Sequence, residues 1–119
     1  MRILVVEDDL ETNRFFVSAL GSEGHEVVAV TSGSDALSLP DHEFDVALVD
    51  IMMKDMDGIE TCKQLKERKP AMPICMVTAS MDTEHVLRSF RQGANGYIVK
   101  PFDLDELFVK LDELTHQYA

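Results

Sequence analysis

The sequence predicts an α/β protein: a doubly wound, five-stranded parallel sheet of (βα)5 design, with helices on both faces in a three-layer sandwich. Three observations predict it. Apolar runs rich in Val and Ile, near 2–6, 26–30, 45–49, 74–78 and 97–99, are short and continuous, as expected of strands buried on both sides. Segments of helical spacing separate them. Four of the five runs end on a polar group, and parallel strands joined by helices gather their carboxyl ends on one edge.

The first strand runs into Glu7-Asp8, and the helix after it carries Phe15, Phe16, Ala19 and Leu20 as one stripe, closed by Gly21 and Gly24. After the second strand, Ala36-Leu37 begins a helical pattern. Pro40 cannot continue a helix interior and disfavours helix at Leu39, so a helix of under two turns is expected near 34–39. The third strand runs into Asp50, and Ile59, Cys62 and Leu65 mark the third helix. Ile74-Cys-Met-Val77 runs into Thr78, followed by Val86, Leu87 and Phe90 on a fourth helix. Tyr97-Ile-Val99 runs into Lys100, and Asp103 followed by Glu106 is a start signal for the last helix. That helix shows the clearest periodicity, through Leu104, Leu107, Phe108, Leu111 and Leu114. With no repeat, low-complexity stretch or internal linker, residues 1–119 read as one domain with right-handed crossovers.

A composition of 45% hydrophobic and 28% charged residues is that of a globular chain. No apolar run approaches bilayer length, and the first strand begins too early for a signal peptide, so a cytoplasmic protein without a membrane partner is expected. Cys62 and Cys75 sit inside apolar patterns and read as reduced core thiols. His25, His42, His85 and His116 follow no metal-ligand spacing and read as surface or loop residues. The net charge of −11 would be repelled by nucleic-acid phosphates, which argues against direct DNA or RNA contact. Solubility is the ordinary reading of such a balance; a local group of acids holding a cation is the specific one.

With strand order 2-1-3-4-5, the crevice at the reversal point lies between the first and third strands, which deliver Glu7-Asp8 and Asp50. Carboxylates about 4 Å apart repel by on the order of 4 kcal/mol per pair at an effective dielectric near 20, so a compensating cation is expected. All-oxygen ligands with few carboxylates suit Mg2+. Lys100 adds positive charge from the far side. Singly, each group has an ordinary reading: Glu7-Asp8 could cap the first helix, Thr78 could be a strand-end threonine and Lys100 a solvated lysine. Their conjunction at four strand ends points to phosphoryl chemistry, which needs positioning and charge neutralisation more than proton transfer.

The runs Ile3-Leu-Val-Val-Glu-Asp8, Leu48-Val-Asp-Ile-Met-Met-Lys-Asp-Met-Asp-Gly58, Met76-Val-Thr-Ala79 and Gly93-Ala-Asn-Gly-Tyr-Ile-Val-Lys-Pro-Phe102 together resemble the receiver domain of two-component response regulators, chemotaxis-regulator-like proteins of flavodoxin-like fold. The resemblance implies that Asp50 is the phosphoacceptor, taking a phosphoryl group from the phosphohistidine of a sensor histidine kinase or phosphotransfer protein. It implies Mg2+ bound by Asp8, Asp50 and the main-chain carbonyl of Met52, with Glu7 reaching it through water. Lys100 would pair with Asp50 and then with a phosphoryl oxygen; Thr78 would hydrogen-bond another, and Tyr97 would change rotamer as Thr78 moves. Lys100-Pro101 corresponds to the family's cis peptide. The output face would be helix four, strand five and helix five, with Arg88, Arg91 and Lys110. It would serve a downstream protein, a fused effector domain or a homodimer. Met52 and Ser80, each two residues past a site residue, would tune the phosphorylation lifetime.

The sequence also departs from the family. Lys54-Asp55 stands where Pro-Gly is frequent, and the Asp-Asp-Tyr run of one large DNA-binding subfamily is missing, which puts its dimer mode in doubt. Met52, Met53 and Met56 read as core filling, with a soft contact surface as the alternative. A small Mg2+-dependent aspartyl phosphatase or phosphotransferase is the rival reading, disfavoured because the chain lacks a cap over a substrate; the expectation is a phosphoacceptor rather than an enzyme. A flavin carrier is disfavoured by three acids, Glu7-Asp8-Asp9, where a flavin phosphate would lie. A receiver that only binds partners is disfavoured by the complete set of Glu7, Asp8, Asp50, Thr78 and Lys100.

Overall fold

The computed structural model describes residues 1–40, 43–54, 57–79 and 82–117, the last without its side chain. His42, Asp55, Met56 and Ser80 lie outside the described residues. The elements alternate as β1 (Arg2–Val6), α1 (Leu10–Ser22), β2 (Glu26–Val30), α2 (Gly33–Ser38), β3 (Val46–Asp50), α3 (Gly58–Arg68), β4 (Ile74–Thr78), α4 (Thr83–Arg91), β5 (Gly96–Val99) and α5 (Leu104–Gln117). All strand pairs are parallel, in the order β2-β1-β3-β4-β5 expected from the sequence.

The pleat sorts the apolar strands into two cores. Leu4, Val6, Ala47, Val49, Ile74 and Met76 share one face with Ala36, Ile59, Cys62 and Leu65. Ile3, Val5, Val46, Leu48, Cys75, Val77 and Ile98 share the other with Phe16 and Leu20 of α1 and Leu107, Leu111 and Leu114 of α5. Side chains that alternate along each strand are covered on both sides, which is why the runs carry no polar–apolar alternation. Both cysteines are free and buried. Burial pushes the thiol of Cys62 up to about 11 and that of Cys75 to about 12, so both stay protonated.

Helix starts are set locally. Asp9, Ser32, Asp57 and Asp82 each accept a backbone N–H of the first turn of α1, α2, α3 and α4, and Asp103 Oδ1 accepts from Glu106 N at 2.8 Å. Helix α2 stops at Ser38, one residue short of the expected end, with Leu39 extended before Pro40. Helix α1 continues through Gly21 to Ser22; Gly24, at φ 87°, is the glycine that turns the chain into β2. β3 is shifted one residue on from the expected span, so Asp50 is its last residue, and β5 begins at Gly96.

Two expected apolar stripes are buried only in part. On α1, Phe15 is 43% exposed while Phe16 and Leu20 are covered. On α4, Leu87 and Phe90 are 48% and 42% exposed, and the buried residue is Ser89. β5 is the edge strand of the sheet, so no further strand underlies the outer part of α4. Met52 is exposed rather than core-filling, whereas Met53 packs against the core. His25 lies in the α1–β2 turn, half-buried; His85 and His116 lie on α4 and α5.

Candidate functional site

Parallel pairing places Val6 beside Val49 and Asp50 beside Val77. The ladder runs on past β1, with Glu7 N donating to Val30 O at 3.1 Å, and past β5, with Lys100 N donating to Thr78 O at 2.7 Å. Counting in steps of two, Glu7 continues Ile3 and Val5, Asp50 continues Val46 and Leu48, and Lys100 continues Ile98. The side-chain period of the strand therefore aims all three into the α1/α5 side of the sheet's carboxyl edge. There Lys100 Nζ donates to Glu7 Oε1 at 2.8 Å and to Asp50 Oδ2 at 3.0 Å. The sequence reading had Lys100 pair with Asp50; its contact with Glu7 is an additional finding.

Glu7, Asp8 and Asp50 each offer a carboxylate oxygen, all within 4.8 Å of one another. Glu7 is 1% and Asp50 6% exposed, with Asp8 on the open side. Burial, with Asp50 hydrogen-bonded beside it and against the pull of Lys100, pushes the Glu7 carboxyl up to about 7. Burial alone would lower the Lys100 ammonium, but its bonds to Glu7 and Asp50 outweigh this and hold it above its ordinary value. The donor set fits Mg2+: hard oxygens only, few of them, and an open side where water completes the shell. Among the described residues one lysine answers three carboxylates, which leaves an excess of negative charge that a divalent ion would neutralise.

Neighbouring backbone holds each acid. Met52 N donates to Asp50 Oδ1 at 3.1 Å, Lys54 N to Asp8 Oδ2 at 3.1 Å and Asp9 N to Glu7 Oε2 at 3.2 Å. Asp9 rather than Glu7 or Asp8 caps α1, accepting from Thr12 N and Thr12 Oγ1, which leaves its two neighbours for the crevice. The Lys100-Pro101 peptide is cis. Phe102 stacks on Phe16 at 5.7 Å and meets Phe15 edge-on at 6.3 Å, fastening the β5–α5 connection to α1. Thr78 is buried at the end of β4, and in the β4–β5 register Tyr97 pairs with Met76 and Val99 with Thr78. Thr78 and Tyr97 thus belong to the opposite face of the sheet from Asp50, the face of α2 and α3. The half-buried Tyr97 ring meets Phe90 edge-on at 6.1 Å.

Sequence reasoning passed over two residues. A Cβ on Gly58 would lie 1.8 Å from the carbonyl oxygen of Asp50, so only glycine lets α3 start against the end of β3. Its signal was a glycine in the first helical position directly after a capping aspartate. Asn13 is a buried polar residue on α1, and its signal was an amide on the Asn13, Phe16, Leu20 stripe.

The fold and acidic crevice define a class: open α/β domains that carry a carboxylate cluster at the switch point of a parallel sheet. The chain belongs to the family described as "Response regulator receiver domain", which matches residues 3–112. It is 36% identical over 98% of its length to the transcriptional regulatory protein TcrA of Mycobacterium tuberculosis, covering 47% of that protein. It is 38% identical over 89% of its length to the regulatory protein AtoC of Escherichia coli, covering 23% of it. The chain thus spans half or less of these curated relatives. Among solved structures, a CheY-like response regulator receiver domain from Methanospirillum hungatei matches with a TM-score of 0.94 at 31% identity, covering 98% of this chain and 94% of that one. Receiver domains of response regulators are signalling switches of two-component systems and bind Mg2+ at an acidic pocket. Among the described residues no helix is long and apolar enough to cross a membrane.

Proposed function

We propose that residues 1–119 form one receiver domain in which Asp50 is the phosphoacceptor. The observation that carries this is the buried Asp50 carboxylate held between Lys100 Nζ, at 3.0 Å, and the carboxylates of Glu7 and Asp8. Asp50 Oδ1 or Oδ2 attacks the phosphorus of a phosphohistidine on a kinase or phosphotransfer protein. The new P–O bond forms as the P–N bond breaks, and the electron pair leaves on the imidazole nitrogen. An ionised carboxylate needs no general base.

Asp8, Asp50 and the Met52 carbonyl would hold Mg2+, with Glu7 acting through water. Bound there, Mg2+ supplies charge neutralisation for the phosphoryl oxygens. Lys100 keeps Asp50 oriented before transfer and takes a phosphoryl oxygen afterwards, while Thr78 donates to another. As Thr78 is drawn toward the phosphoryl group, Tyr97, on the same sheet face and against Phe90, moves inward. The readout is the face of α4, β5 and α5. It exposes Leu87, Phe90 and Val109, with Arg88 and Arg91 on α4 and with Asp103, Asp105, Glu106 and Glu113 around a groove of about 620 Å3 along β5 and α5. That face would engage a downstream protein or an effector domain of a longer chain, as in the larger regulators it resembles.

The test is incubation with acetyl phosphate and Mg2+, read by intact mass. The natural chain gains one phosphoryl group, and Asp50→Asn gains none while melting at the same or a higher temperature, because one of the repelling charges is gone. Phosphoryl uptake by Asp50→Asn would overturn the assignment.

A further inference from the structure

We infer that Asn13 is a positioning residue for the acidic pair: it holds the backbone that aims Glu7 and Asp8 into the crevice. Its Nδ2 donates to two carbonyls at once, Glu7 O at 3.1 Å and Val30 O at 3.0 Å. These carbonyls sit at the ends of adjacent strands, β1 and β2, where the ladder makes its last bond from Glu7 N to Val30 O. Beyond that bond the chain must leave the sheet while still presenting two charged side chains that repel each other. Asn13 is 9% exposed, so its amide is withdrawn from solvent. It is also anchored, since Asn13 N donates to Asp9 O at 2.8 Å within the first turn of α1. The segment 7–9 is thereby tied at both ends to one residue: Glu7 by its carbonyl and Asp9 by its carbonyl, with Asp8 between them.

The residue type matters. The side chain must offer two N–H donors to two carbonyl oxygens, and a primary amide supplies them. An aspartate of the same size would set a carboxylate against both carbonyls and add charge beside the acids. An alanine would leave the buried Glu7 carbonyl without this donor and free the peptide at Glu7-Asp8 to turn. A carboxylate's useful direction is fixed by the peptide that bears it, so releasing that peptide weakens ion binding without removing any ligand.

The experiment compares Asn13→Ala and Asn13→Asp with Leu20→Val, a core change on the same helix that leaves segment 7–9 untouched. Mg2+ affinity is measured by calorimetry, and amide hydrogen exchange at Asp8 and Asp9 is followed in chelator, both at a temperature where every variant is folded. Asn13→Ala is expected to weaken Mg2+ binding roughly tenfold or more, Asn13→Asp at least as much, and Leu20→Val not at all. In chelator both Asn13 variants should exchange the amides of Asp8 and Asp9 faster, out of proportion to their loss of global stability. The Mg2+ arm rests on the receiver reading above, whereas the chelator arm needs no metal. If the natural chain bound no Mg2+, that reading would fail while the exchange data still judged Asn13. Unchanged exchange in Asn13→Ala, or equal weakening by Leu20→Val, overturns the inference.

Discussion

Lys100 Nζ lies 2.8 Å from Glu7 Oε1, a contact between residues 93 positions apart, and the same ammonium lies 3.0 Å from Asp50 Oδ2. One cation therefore bridges two buried carboxylates, which explains how the fold tolerates them side by side.

Replacing that cation should expose the repulsion. Lys100→Met keeps the apolar stem and leaves Glu7 and Asp50 facing each other. In chelator it is expected to lose about 2–3 kcal/mol of unfolding free energy, less than a fully buried pair because a quarter of the Lys100 side chain is exposed. Mg2+ should restore part of the loss. Urea melts with and without Mg2+ measure both terms, and a variant as stable as the natural chain in chelator would show that the ammonium does not hold the cluster.

Mg2+ affinity should depend on pH near neutrality. The Glu7 carboxyl is raised from its ordinary 4.5 to about 7, so a proton occupies it as pH falls below about 7 and opposes the ion. The dissociation constant is expected to rise by up to about tenfold per pH unit below that point and to level off above it. Stability of the metal-free fold runs the other way. The folded state holds this proton more tightly than the unfolded chain, so stability is highest below 4.5 as far as Glu7 alone is concerned and declines until pH passes about 7. Glu7→Gln should flatten both profiles. Calorimetric titrations at roughly pH 6 and roughly pH 8 decide the first claim, and an unchanged constant would refute it.

Gly58→Ala should damage fold and site together. The added Cβ meets the Asp50 carbonyl at 1.8 Å, a backbone atom that cannot rotate aside, so α3 or the end of β3 must move. An expected loss of about 2–3 kcal/mol, toward the upper end for overpacking, should accompany slower phosphoryl uptake at Asp50. A Gly58→Ala chain with natural melting and natural uptake would show that the close approach is relieved at no expense.

Most of the architecture was legible because its signals are local. Run length and Val/Ile content marked the strands, and Pro40 shortened α2 where expected. The misreadings have two causes. Leu87 and Phe90 have helical spacing, but spacing reveals an amphipathic face and not what lies beneath it; Phe90 meets only the edge of the Tyr97 ring on the edge strand β5 and stays 42% exposed. Met52, next to the site, was expected to fill core and is 63% exposed, since the chain has left β3 two residues earlier.

By itself the sequence determined that polar groups end four strands, and parallel strands joined by helices gather those ends on one edge, because run length and the residue that ends each run are properties of the chain alone. Only the tertiary structure decided the distances: the sharing of one ammonium by two carboxylates, the assignment of Asp9 to the helix cap, and the fastening of segment 7–9 by Asn13. Those depend on how far apart separate elements come to rest, and that spacing is set by packing between layers, which no run of residues carries within itself.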